Sequence, residues 1–418
     1  MYMNKNNHLS DRPIALPSPR QALFRDGMSG IITGFMAIPL SAGICLMSDY
    51  PVMTGLYTVI LAGIISYICS IFRPGNHTGM PGVAAGLAPA LALGVSSFGM
   101  ENMPFVILIT ALFQALVWHK GWERFLLVFV PSYLIEGLLA GVGLKIMLKF
   151  TPNMIAAGIE REVIIFGSLA LFFLMYSIFK KKMPALPYVL IMMLGVLSTN
   201  FYEFPKLSIT EVPFKLNLPI PHIEGDFGTA SLTYLKMFSF ALMLGSIDVI
   251  EQVMSHVAIV KLDEFKRPGN VNNGLLAIWI ANLLGTSFGG MTNLDGLAKS
   301  TTNTVAGAVT KRSNLITSLF ILAVVMAPWL IEALPLYTLS IIMIYSGFNM
   351  ITKLQHVVHE GMYPIILATL CAGLVYSLGI FEGLVIVLFA HAMIQSIQFY
   401  RTGIAPSAQL TMMKNKFK

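Results

Sequence analysis

Apolar stretches long enough to cross about 30 Å of hydrocarbon recur along almost the whole chain, and no other feature restricts its fold so severely. In lipid, every backbone N–H and C=O must be bonded within its own segment or within a closed barrel. Long apolar runs without period-two alternation select helices, so we expect an all-α polytopic membrane protein. Composition agrees. Hydrophobic residues make up 56% of the chain and charged ones 11%, where soluble domains carry roughly 25% charged residues. We expect one integral bundle, its length counted in spans.

The first half reads as stretches near residues 28–46, 52–71, 79–94, 103–118, 131–148, 163–179 and 187–199. A polar, Pro-rich loop follows at 200–229, and within it residues 207–220 resemble a short extended pair. The second half continues near 235–260, 274–288, 293–309, 315–330, 336–351, 364–378 and 383–397. The count is about fourteen, seven on each side of the loop. The expected divisions are a polar segment 1–27, a first repeat 28–199, the outer loop 200–229, a second repeat 230–400 and a tail 401–418. An odd number of spans per half turns the second half upside down relative to the first, as in inverted-repeat transporters.

The net charge of +7 is not a nucleic-acid signature, because its carriers sit in alternate loops. The even-numbered loops and both tails hold about twenty of the 27 Lys and Arg, including Arg12, Arg20, Arg25, Arg73, Lys120, Arg124, Lys180, Lys261, Arg267, Lys311, Arg312 and Lys414. Cytoplasmic loops carry such an excess, so both termini are placed in the cytoplasm and the chain in the inner membrane. Cys45, Cys69 and Cys371 lie inside apolar stretches without metal-type spacing, so neither a disulfide framework nor a metal is expected. No cofactor is expected either.

Two short, interrupted stretches echo each other. Gly79-Met80-Pro81-Gly82-Val83-Ala84-Ala85-Gly86-Leu87-Ala88 and Gly290-Met291-Thr292-Asn293-Leu294-Asp295-Gly296-Leu297-Ala298 both read Gly-Met, a few residues, then Gly-Leu-Ala. Each is the third stretch of its half. We read them as half-helices whose starts point at each other, with Pro81 in the first turn of one and Thr292 or Asn293 capping the other. Facing helix starts offer unpaired N–H groups and dipole charge to an anion. The expected cargo contacts are Gly82, Val83 and Ala84 from one half, Ala298, Lys299 and Ser300 from the other, and Ser41 from the first span.

A lone ammonium at membrane depth costs about 2.5–3.5 kcal/mol, so Lys299 is expected to meet either the cargo or a carboxylate on the eighth span. Asp248 and Glu251 stand there at i and i+3, with Gln252 beside them. These three are the candidates for coupling to H⁺ or Na⁺. His256, near the inner end of the same span, reads as interfacial.

With these residues in view, the chain resembles the SulP anion transporters, the sulfate permeases and bicarbonate carriers. The resemblance runs through Asp26-Gly27-Met28-Ser29-Gly30, Ala37-Ile38-Pro39-Leu40 and Gly55-Leu56-Tyr57-Thr58, then Ile135-Glu136-Gly137-Leu138-Leu139-Ala140-Gly141. Its most specific part extends from Asn272 through Gly289-Gly290 to Ala298-Lys299-Ser300-Thr301-Thr302-Asn303. It implies a seven-plus-seven inverted repeat, with the anion held in a core domain that moves against a gate domain. Lys299 falls where many members have Arg, and Asp248 where they have an acid. Leu40, Gly82 and Thr292 replace a frequent Gln, a frequent Thr or Ser, and the usual proline. The short tail leads us to expect no cytoplasmic STAS domain.

The expected function is secondary active transport of a small anion such as sulfate, bicarbonate, chloride or a small carboxylate, by symport or exchange. Alternatives are a nucleobase/H⁺ symporter of the same fold, which Asp295 would serve, and an anion channel. An intramembrane enzyme is disfavoured, because no paired catalytic motif is present. The expected partners are the anion, a coupling H⁺ or Na⁺, the lipid bilayer and, as an open possibility, a second copy of the chain.

Overall fold

The computed structural model describes residues 15–123, 131–155, 158–179, 182–183, 185–207, 218–222, 227–378 and 380–402. The extended pair expected at 207–220 falls largely outside these residues, as do most of the N-terminal segment, Arg124, Lys180 and the end of the tail.

A helix occupies part or all of each apolar stretch. In the first half these are α1 (Pro19–Met47), α2 (Val52–Phe72), α3 (Ala88–Phe98), α4 (Met103–Lys120), α5 (Ser132–Phe150), α6 (Ile159–Phe179) and α7 (Leu186–Ser198). In the second half they are α8 (Phe227–Leu262), α9 (Val271–Thr286), α10 (Leu297–Val305), α11 (Arg312–Val325), α12 (Leu336–Thr352), α13 (Met362–Ser377) and α14 (Ile380–Thr402). Two three-residue strands complete the elements used here, β1 (Pro81–Val83) ahead of α3 and β2 (Asn293–Asp295) ahead of α10.

Local chemistry sets several boundaries. Ser18 caps α1 in a reciprocal capping box with Gln21, and Pro19 opens its first turn. Asn270 caps α9 by accepting from the Asn273 N–H. Pro39 lies inside α1 and, having no N–H, leaves the Phe35 carbonyl one turn earlier without its helical partner.

The polarity is inverted relative to a soluble protein. Phe166, Leu174, Leu319 and Phe389 are exposed, whereas Gln114, Asp248, Asn282, Lys299 and Asn303 are buried. Five helical segments, Pro19–Met47, Val52–Phe72, Met100–Lys120, Ile159–Phe179 and Ala230–Leu262, are long and apolar enough to cross a membrane unaided. This is a helical membrane protein.

The helices sort into two packed groups. In one, α1 packs on α2 and α11, α9 packs on α2 and α4, and α8 packs on α4, α9 and α10. In the other, α5 packs on α12 and α13, α13 on α14, and α6 on α7 and α12. The groups meet where α1 touches α12 and α7. Each group takes the same ordinal helices from both halves, so the strands β1 and β2 end up in the middle of the first group.

Candidate functional site

β1 and β2 pair antiparallel, with Pro81 opposite Asp295, Gly82 opposite Leu294 and Val83 opposite Asn293. The Gly296 N–H donates to the Met80 carbonyl at 3.1 Å, and the Met80 N–H donates to the Ser300 hydroxyl at 2.9 Å. This corrects the expected half-helix starts. Pro81 lies in a strand, the first-turn proline of α3 is Pro89, and α10 begins after Gly296 rather than at Thr292 or Asn293. The physical reason is backbone satisfaction: two strands that bond each other fill groups which isolated helix starts leave open at membrane depth. Gly82, Val83 and Ala84 are accordingly not a free N–H nest at a helix terminus.

Lys299 projects from the first turn of α10 and is 1% exposed. Its ammonium donates to the Val83 carbonyl at 3.2 Å. Gly82, with φ +148°, faces it so closely that a Cβ there would run into Nζ. The expected pair with Asp248 or Glu251 is not formed. Among the described residues no carboxylate lies within ion-pair distance of Lys299, and the acid that acts on it electrostatically is Asp295.

Asp295, at the end of β2, is more central than its sequence position implied. Its Oδ2 accepts from Asn76 Nδ2 at 2.6 Å and from Gln252 Nε2 at 3.3 Å, and its backbone N–H donates to Gln252 Oε1 at 2.7 Å. Its Oδ1 lies 3.8 Å from the Lys311 ammonium. Lys311, counted above among the cytoplasmic loop charges, is buried and donates to the Gly79 carbonyl at 2.5 Å. Gln252 is thereby tied to Asp295. His256 is buried rather than interfacial, and its Nδ1 faces Asn76 Nδ2 at 3.2 Å.

The two acids of α8 point elsewhere. Asp248 is fully buried near Gln114 and Asn282, and neither of its oxygens has a hydrogen-bond partner among the described residues. Asn282 continues the network, donating to Gln114 Oε1 at 2.8 Å and accepting the Asn293 backbone N–H at 2.8 Å. The Glu251 carboxylate abuts Gly86 and has Lys353 as its charged neighbour. It also borders a cavity of about 20 Å³ lined by Ile135, Leu138 and Leu139 of α5 and Leu384 of α14. Ser41 is buried with its hydroxyl unpartnered among the described residues, and the Thr292 hydroxyl is too. Ser300 is engaged by Met80, whereas Ala298 is exposed beside Lys299.

Lys299 was legible in the sequence as a charge inside an apolar run. Asn76, Asn282 and Lys311 were not. Asn76 and Lys311 belong to polar, loop-like runs, Asn282 is a single amide within the apolar run of α9, and only the strand crossing brings Asn76 and Lys311 to Asp295.

The arrangement is a buried ammonium held by one carbonyl, with an acid nearby that other donors occupy. The model of the sulfate permease family matches residues 157–362. Over that stretch the chain resembles the sulfate permeases. A Bacillus subtilis protein, YvdB, provisionally named a sulfate transporter, is 25% identical over 358 residues; the match covers 79% of this chain and 65% of that protein's length. Among solved structures, the transmembrane domain of the cyanobacterial bicarbonate transporter BicA superposes with a TM-score of 0.71 at 18% identity, covering 88% of this chain and 97% of that one. SLC26A9 gives 0.75 at 13% identity, with 91% of this chain and 66% of that one covered. The murine Slc26a9 anion transporter in its inward-facing state gives 0.74 at 12%, with 92% and 70% covered. At these identities the likeness establishes a shared membrane fold. The sulfate permease family and these relatives are transporters, not enzymes.

Proposed function

We propose that this sulfate permease relative is a secondary active transporter of a small anion across the inner membrane. The observation that carries the reading is Lys299, a fully buried ammonium at the strand crossing whose one direct partner among the described residues is the Val83 carbonyl. A buried cation without a matched carboxylate is costly, and an anionic cargo supplies the missing charge. Cargo candidates are bicarbonate, chloride, a small carboxylate and sulfate. Ser41, Ala298, Ser300 and the segment Gly82 to Ala84 are its proposed neighbours.

In this reading the fourteen stretches are spans, residues 28–199 and 230–400 are inverted repeats around the 200–229 loop, and both termini are cytoplasmic. The helix group around the crossing is the core, and it rises and falls against the group around α5 and α12. Asp248, buried with neither oxygen hydrogen-bonded among the described residues, supports a seat for a coupling proton or Na⁺, with Glu251 as the second acid at the seam. The test is uptake by purified protein in liposomes, with a panel of labelled anions and imposed H⁺ or Na⁺ gradients. Uptake of at least one anion, lost in Lys299→Ala and retained in part by Lys299→Arg, is expected. If no anion accumulates above protein-free liposomes, the reading fails.

A further inference from the structure

We infer that the buried charges at the strand crossing sum to a single positive charge, so that the cargo is a monovalent anion and Asp295 is the residue that excludes divalent ones. This rests on the anion-transport reading and names the class of cargo within it.

Three buried charges share the crossing. Lys299 and Lys311 each donate to a carbonyl, of Val83 and Gly79, and of the two only Lys311 lies within ion-pair distance of a carboxylate among the described residues. Asp295 lies between them, 3.8 Å from Lys311 and acting electrostatically on Lys299. The Asp295 carboxylate receives donors from Asn76 and Gln252. The sum is two positive charges against one negative.

Arg73 lines the same small cavity as Asp295 and Lys311 but is exposed, where solvent screens its charge, and the buried ionisable groups around the crossing leave that sum unchanged. Asn76 is oriented by two partners, its amide nitrogen toward Asp295 and its oxygen accepting the Gly79 N–H at 2.7 Å. The same nitrogen faces His256 Nδ1, which must then be an acceptor, so the ring carries at most one proton and is neutral. Glu251 has Lys353 as its charged neighbour, and the two cancel. Asp248 faces Gln114 and Asn282 on another side of α8, and the coupling cation or proton proposed above cancels its charge.

A monovalent anion therefore makes the loaded crossing neutral, whereas sulfate leaves one uncompensated negative charge in a dry site. Uncompensated buried charge is what low-dielectric interiors penalise most. A change of one charge a few ångströms from the cargo shifts relative affinity by on the order of ten-fold or more.

The experiment is competition uptake in liposomes at neutral pH, where sulfate is divalent. Against labelled chloride or bicarbonate, wild-type protein is expected to be inhibited by nitrate and formate, with sulfate on the order of ten-fold weaker. Asp295→Asn raises the crossing to two positive charges and is expected to improve sulfate competition relative to formate by a similar factor. The double variant Asp295→Asn/Lys311→Gln returns the sum to one and is expected to restore the wild-type preference. Wild-type protein that takes sulfate as readily as monovalent anions overturns the inference, and this comparison decides even if Asp295→Asn does not fold. An Asp295→Asn variant that alters both classes equally also overturns it. Failure of every anion to compete overturns the transport reading instead.

Discussion

Gly82 and Lys299 define each other. The glycine sits at φ +148°, a conformation side chains with a Cβ rarely adopt, and the space its Cβ would fill is taken by the Lys299 ammonium. Replacing Gly82 by Ala therefore combines backbone strain of about 1–2 kcal/mol with displacement of the one ammonium held by Val83. Gly82→Ala is expected to reach the membrane and to lose uptake by at least about ten-fold, a loss equivalent to about 1.4 kcal/mol in site geometry. Near-normal uptake by a well-expressed Gly82→Ala protein would separate Lys299 from the cargo. The residue scale is also where sequence reading was least complete. A lysine in an apolar run announces itself, but its partners do not. Lys299 was expected to meet either the cargo or an acid of the eighth span, Asp248 or Glu251; the acid that β2 brings close is Asp295, itself held by residues from the α2–β1 segment and α8.

At the scale of elements, the ends of the first helix group on the side where α1 begins are joined by carboxylates that serve backbone groups. Asp26 near the start of α1 accepts from the Val309 N–H at 2.7 Å, the Thr310 N–H at 2.9 Å and the Thr310 hydroxyl at 2.6 Å, closing the turn between α10 and α11. Asp26→Ala leaves three donors unmet and is expected to destabilise by about 2 kcal/mol or more, read as a lower melting temperature in detergent, with Asp26→Asn less affected. Between α8 and α9, burial pushes the Asp263 carboxyl up, but the Arg267 guanidinium and backbone N–H outweigh it and hold it below its ordinary value of 3.8. A depressed carboxylate contributes stability that is present above its unfolded-state value and is lost as pH falls through the folded one. The wild-type melting temperature should thus drop more steeply than that of Asp263→Asn as pH falls below about 4. Parallel curves would show that Asp263 contributes nothing. The helices themselves were readable from apolar length. The strands were not, because three residues within a Gly-rich run carry no periodicity, and the pairing of β1 with β2 joins positions in opposite halves of the chain.

For the whole molecule, the two helix groups and the seam between them determine what can move. The repeat visible in sequence as Gly-Met and Gly-Leu-Ala marked the two segments that cross but read them as half-helices, and the partition into groups needed the packing, because α5 and α12 find each other across about half the chain. On the side opposite the Asp26 clasp, Lys149 of α5 donates to the Met47 carbonyl at the end of α1 and to Asp49 Oδ1, both at 2.9 Å. This contact joins the group that holds Lys299 to the group around α5 and α12, and it closes the seam at that mouth. Both side chains are largely exposed, so the ion pair itself is worth little, about 0–1 kcal/mol, and can break on each cycle. Removing it should be tolerated; making it permanent should not. Replacing Asp49 and Lys149 together by Cys, in a background where Cys45, Cys69 and Cys371 are Ser or Ala, permits a disulfide across the seam. Elevator movement requires the first group to slide past the second, so oxidation is expected to arrest uptake and reduction to restore it, while Lys149→Ala alone keeps most of its activity. Full uptake by the oxidised, demonstrably cross-linked protein would mean that this seam does not open and that cargo passes without relative motion of the groups, as in a channel.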